Sequence, residues 1–90
     1  MTTPEWPAWW VWELELTTHL SKRMEDRQFT EVDLRRMLEY AQGLRPDVLE
    51  GRFVVDARHA GGPWEVVVEP DELRKLLVVI TAYPVDRTES

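Results

Sequence analysis

The alternation of apolar and charged positions sets the first element. From Val11 to Leu16 the chain reads Val-Trp-Glu-Leu-Glu-Leu, so Trp12, Leu14 and Leu16 alternate with Glu13 and Glu15. A period of two is that of a strand with one face buried, and a helical start around Trp9 is its rival. Thr17-Thr18 then offers a helix cap whose hydroxyl accepts a first-turn N–H. His19 to Arg27 reads as a short helix with Leu20 and Met24, four residues apart, on its apolar side. Thr30, followed by Asp33 at the third helical position, opens a second helix by a relative of the capping box. Its stripe Leu34, Met37, Leu38, Ala41 follows i, i+3, i+4, i+7, with Gly43 as the stop and Arg45-Pro46-Asp47 as a turn.

Three strands are predicted after that turn. Arg52 to His59 sets Phe53, Val55 and Ala57 on one face, and Ala60-Gly61-Gly62-Pro63 makes a loop. Trp64, Val66 and Val68 alternate with Glu65, Val67 and Glu69, and Pro70-Asp71-Glu72 has proline where a type I turn takes it. Leu76 to Tyr83 is apolar on both sides for most of its length, as in a central strand. The order β-α-α-β-β-β predicts a two-layer α+β domain, two helices on one face of an antiparallel sheet. Its first strand can join either edge of the meander. Ninety residues make a single domain. A Trp/Pro-rich lead-in covers 1–10, and 85–90 is expected to fray.

Charge narrows the function. Eleven Lys and Arg against seventeen Asp and Glu leave −6, which gives no global attraction for nucleic acid or anionic lipid. Residues 19–52 hold seven basic and seven acidic side chains, while the flanking segments are each net acidic. An anion site must therefore be a local cluster, most readily in that middle third. There is no cysteine, so disulfides and thiol nucleophiles drop out. The two histidines stand far apart without helical zinc spacing, so neither a metal nor another cofactor is expected. No apolar run reaches bilayer length and no secretory leader is visible, which points to a cytoplasmic protein with no membrane partner.

His19, Arg23 and Arg27 advance by four residues each, so on a helix they share one stripe. An imidazole titrating near neutrality with two guanidiniums can cradle a phosphate and move a proton. A solvated helix face, with Arg23 paired to Asp26, is the plainer reading of the same spacing. His59 shares parity with Val55 and Ala57 and should lean to the covered side, where a core-edge histidine is the commoner outcome. Whether it lies at the same sheet end as Thr81 and Tyr83 depends on strand register. Four of the five tryptophans fall between Trp6 and Trp12. Trp9, Trp10 and Trp12 cannot all reach one core from a single strand, so they either wrap its rim or form a contact surface.

The run Thr18-His19-Leu20-Ser21-Lys22-Arg23-Met24-Glu25-Asp26-Arg27-Gln28-Phe29 resembles the opening motif of a family of small bacterial domains related to the RelE/ParE/BrnT toxin group. The likeness continues through Thr30-Glu31-Val32-Asp33-Leu34, Gly51-Arg52-Phe53-Val54-Val55, Pro63-Trp64-Glu65-Val66-Val67-Val68 and Leu77 to Tyr83. It implies a RelE-like fold and a toxin, many of which cut RNA and are covered by an antitoxin partner. Matched by position, His19, Arg23, Arg27 and Thr81 fall on the group's recurrent polar positions, and Arg52 and Tyr83 match more loosely. Gln28 stands where the family carries glycine, and the acidity is unlike that of basic RNA-cleaving toxins. The expectation is a metal-independent endoribonuclease, with His19 as the base or acid and Arg23 and Arg27 on phosphate. Arg52 joins them there, Tyr83 or His59 is the second proton carrier, and Thr81 supports. Two other readings are an interaction module that docks a protein or a second copy through its Trp-rich edge, and an antitoxin- or immunity-type inhibitor.

Overall fold

A computed structural model describes residues 6–85, so residues 86–90 of the expected frayed tail and the first five residues of the lead-in lie outside the described region. Val85, expected to fray, donates its N–H to the Pro63 carbonyl at 2.9 Å. A short 3-10 helix, Ala8–Val11, precedes strand β1, Glu13–Leu16. The two rival readings of this stretch are thus realised one after the other. Helix α1, Thr18–Arg27, starts where the Thr17 hydroxyl accepts from the Leu20 N–H at 3.0 Å. Helix α2, Glu31–Glu39, carries the full reciprocal box between Thr30 and Asp33. The remaining strands are β2, Gly43–Pro46; β3, Phe53–His59; β4, Gly62–Asp71; and β5, Leu76–Pro84.

The fold is α+β: two helices against one five-stranded sheet of order β1-β5-β4-β3-β2. Two points correct the expected antiparallel sheet. Residues 43–46, read as a helix stop and a turn, form an extra edge strand antiparallel to β3. Gly43 and Pro46 bound it, and both residues are depleted in strands, which is why the pattern reads as a turn. An edge position tolerates the missing proline donor. The first strand pairs with β5 in parallel, Leu14 opposite Leu77 and Leu16 opposite Val79, so the sheet is mixed.

The parities read from β3, β4 and α2 set the core. Val55, Val66, Val68 and Val79 are fully buried on the helix side of the sheet, under Leu20 and Leu34, which are also fully buried. Phe29 closes the end of this layer, packing edge-on to Trp64 at 5.2 Å. Of the two readings of the tryptophans, the structure realises the rim: Trp9, Trp10 and Trp12 are partly buried and pack against the core without entering it. The 3-10 turn frees them from strand alternation, and Trp9 reaches Phe53 with ring centroids 5.0 Å apart. Among the described residues no helix is long and apolar enough to cross a membrane.

Candidate functional site

Helices cover one face of the sheet; on the other, a bulge in β5 decides which residues appear. Val67 pairs with Thr81 but Val68 pairs with Val79, leaving Ile80 as the extra residue. By strict alternation Thr81 and Tyr83 share the face of Leu77 and Val79, which is buried. The bulge shifts the phase, so Ala82 becomes the buried residue and Thr81 and Tyr83 turn to the open face. Tyr83 lands opposite Glu65 and donates its hydroxyl to Oε1 at 2.7 Å. Arg45, carried by the unforeseen β2, donates to Glu65 Oε2 at 2.7 Å and to Asp56 Oδ1 at 2.6 Å. The close approach of β2 is tight at Gly43, where a Cβ would stand 3.0 Å from Asp56 Oδ2.

This network has a settled protonation pattern. The Tyr83 hydrogen bond, then Arg45, hold the Glu65 carboxyl below its usual range, against the opposing effect of burial. The same hydrogen bond, with burial and the Glu65 charge, pushes the Tyr83 phenol up to about 12. Arg45 is held more firmly protonated by its two carboxylate partners. Tyr83 is therefore a neutral phenol at physiological pH, suited to donating a hydrogen bond and poorly suited to becoming a phenolate.

Two further cations of this face are matched in the same way, while Arg58, among the described residues, donates only to the Gly61 carbonyl, at 3.2 Å. Arg52 meets Glu69 at 3.0 Å, and Arg74 meets Glu15 at 2.5 Å and Asp71 at 2.8 Å. Val54 and Val67 lie between these pairs and are nearly covered.

Helix α1 carries its charges differently. Strand β1 ends opposite Val79, so beyond that point one side of β5 has no neighbouring strand. Side chains of α1 and its cap take up the exposed carbonyls: the Thr17 hydroxyl donates to the Ile80 oxygen at 3.1 Å, and Arg27 Nη1 to the Ala82 oxygen at 2.8 Å. Such cover blunts an open strand edge. Arg27 makes no carboxylate pair among the described residues, and Arg23 has only Asp26 at 3.6 Å, on a half-exposed helix face. His19 is exposed in the first turn of the helix.

The structure thus brings some of the anticipated residues together. Arg27 sits on the carbonyl of the residue between Thr81 and Tyr83, and its stripe-mates Arg23 and His19 precede it on α1. Register sets His59 at the same end of the sheet as Tyr83, since β3 residues 57–59 pair with Trp64 to Gly62 and Trp64 pairs with Pro84. The two lie on opposite faces, however. His59 stands edge-on to Trp64 at 5.2 Å, within the Phe29 cluster. Arg52 is at the far end of β3, paired to Glu69. Two cavities flank the sheet, about 200 Å³ beside Trp10 and Trp12 and about 570 Å³ beside the β4–β5 turn, and His19, Arg23 and Arg27 line neither.

Sequence reasoning missed Arg45, Asp56 and Glu65. The available signal was parity: Asp56 and Glu65 occupy outward positions of adjacent strands, where polar side chains become cross-strand neighbours. Among the described residues no group of three or more His, Asp or Glu is arranged to hold a metal ion.

A family of domains of unknown function, DUF4258, matches residues 16–84. No curated protein and no solved structure matches the chain.

Proposed function

The chain belongs to the DUF4258 domain family, and we propose that this member is a toxin-like domain acting on RNA at the edge where α1 meets β5. The observation that carries this reading is the Arg27 guanidinium. It is held at 2.8 Å by the Ala82 carbonyl, between Thr81 and Tyr83 in the chain, which leaves its charge uncompensated by any carboxylate among the described residues. Arginines 45, 52 and 74 are neutralised in place and Arg58 bonds the Gly61 carbonyl, whereas α1 sets its unmatched Arg27 in one stripe with Arg23 and His19, which favours a phosphate there. The resemblance of the α1 motif to the RelE/ParE/BrnT group supports the same reading, and a RelE-like arrangement of the fold belongs to it.

In this reading His19 accepts the ribose 2′ proton as that oxygen attacks the adjacent phosphorus. The bond to the 5′ oxygen breaks, a 2′,3′-cyclic phosphate forms, and the departing oxygen takes a proton from water. Arg23 and the remaining donors of Arg27 meet the developing charge, as electrostatic stabilisation requires. Tyr83, whose single hydroxyl proton is given to Glu65 on the open face, is not the second proton carrier. Controlled expression in a bacterium tests this: the wild-type chain is expected to arrest growth and fragment total RNA. His19→Ala should abolish both, a loss of about 10²–10⁴-fold in rate for an acid–base group. Unchanged toxicity from folded His19→Ala removes this residue from the mechanism.

A second reading, a non-catalytic interaction module, is favoured by one observation. Trp6 and Trp10 stack at 4.6 Å while both remain half-exposed, on a chain of net charge −6. It predicts a harmless, RNA-inert protein that sediments as a dimer, or binds a basic protein, and loses that association on Trp10→Ala.

A further inference from the structure

The smaller cavity is built unlike the rest of the surface. Its floor is Leu14, Leu38 and Leu77, its walls are the indoles of Trp10 and Trp12, and its rim carries Arg35 and Glu39. Three elements converge to make it. The 3-10 turn swings Trp10 over the end of the core that the helices leave bare, β1 and β5 supply the floor, and α2 supplies the rim. Arg35 is neutralised one helical turn back, its guanidinium 2.8 Å from Glu31. Glu39 makes no ion pair among the described residues, so of the two rim charges it is the unmatched one, with the Lys75 ammonium standing over the Trp12 wall.

Two indole walls with a carboxylate at the lip form an environment for a positively charged, weakly hydrated group. Indole faces attract cations through the ring quadrupole, and the attraction grows as the cation is desolvated. The molecule already uses one of these rings in that way: Lys75 Nζ lies 5.1 Å from the centre of Trp12. A volume of about 200 Å³ is below that of pockets for drug-sized ligands, so it suits a head group rather than a whole large molecule. The charge of −6 raises the local concentration of cations and disfavours anions at Arg35.

We propose that this cavity is a binding site for an organic ammonium head group, enclosed by Trp10 and Trp12 and oriented by Glu39. The site shares no residue with the α1–β5 edge and so does not depend on the RNA reading, but it shares Trp10 with the docking edge of the second reading.

The test is a titration of the whole chain followed through its indole N–H resonances, assigned with Trp10→Phe and Trp12→Phe variants. Choline is the probe, and 3,3-dimethylbutan-1-ol is its uncharged counterpart of the same shape. Saturable shifts at Trp10 and Trp12 are expected with choline, and affinity for the alcohol about tenfold weaker, the size of a desolvated cation–π contribution. Glu39→Gln, an exposed position on α2, should weaken choline several-fold and leave the alcohol unchanged. An N-acetylated trimethyl-lysine amide, titrated in parallel, separates the sources: tighter binding than choline assigns the site to a protein side chain, weaker binding to a free ammonium compound. Equal affinity for choline and the alcohol, or shifts confined to other indoles, overturns the proposal, because the cavity is then merely apolar.

Discussion

Arg27 and Arg45 serve the same sheet in opposite ways. Arg45 lies on the open face between two carboxylates, Asp56 at 2.6 Å and Glu65 at 2.7 Å, and its charge is more than matched. Arg27 reaches across the unpaired side of β5 to a carbonyl, which takes one of its five donors and none of its charge. The first arrangement rigidifies a surface and repels anions. The second caps a strand edge and leaves a cation for something else to neutralise. A residue's usefulness to a phosphate thus depends less on its type than on what already holds it.

The largest expected effect tests what presents Arg27. Leu20 is fully buried and is the anchor of α1 on the sheet, so Leu20→Ala should cost about 3 kcal/mol by chemical denaturation. A loss below about 1 kcal/mol would mean that α1 is held mainly by its edge hydrogen bonds. Next, Arg27→Met is expected to lose about 1–2 kcal/mol, because the Ala82 carbonyl loses its partner. Arg45→Met should lose about 1 kcal/mol or less, because that side chain is 47% exposed and solvent screens its pairs.

Tyr83→Phe sharpens the open-face half of the comparison, with a loss of about 1 kcal/mol near neutral pH. Its pH dependence has two limbs. The folded Glu65 carboxyl is depressed, so its contribution is present above the unfolded carboxyl range and disappears as pH falls through the folded value. The folded Tyr83 phenol is raised to about 12, so its contribution is complete below the unfolded value of 10.0 and disappears as pH rises through about 12. Tyr83→Phe should remove the alkaline limb and shrink the acid one, as measured by stability between pH 2 and pH 12. A phenylalanine variant with an unaltered alkaline limb contradicts the assignment.

The smallest effect concerns the turn after Arg27. Gln28 ends α1 in the left-handed region, φ 57° and ψ 53°, where the resembling family carries glycine. Glycine takes that conformation without the Cβ penalty. Gln28→Gly should therefore stabilise by about 0.5–1 kcal/mol, read as a higher melting temperature, with no change in the Arg27 contact.

Most of the layer architecture was legible because it follows from period and capping. The Leu34/Met37/Leu38 stripe, the Thr30–Asp33 box and the Val55 and Val66 parities depend on neighbours within a few residues, and each was found where expected. What escaped depends on partners distant in the chain. Gly43–Pro46 is a strand only because β3 lies beside it. The parallel pairing of β1 comes from a segment about sixty residues away. The bulge at Ile80, which turns Thr81 and Tyr83 outward, leaves no mark in an apolar run. The candidate site was half legible for the same reason: helical spacing yields the His19–Arg23–Arg27 stripe, while the Arg45–Asp56–Glu65–Tyr83 network exists only once four strands are in register.

The most direct measurement of the central claim is the rate at which purified wild-type, Arg27→Met and Arg45→Met chains, each checked for folding, cleave the same RNA in one buffer. The account predicts cleavage by the wild type, a loss of about 10²-fold or more on removing Arg27, as for a lost transition-state charge contact, and a rate within a few-fold of wild type on removing Arg45. An inert wild type, or equal losses for the two variants, contradicts it.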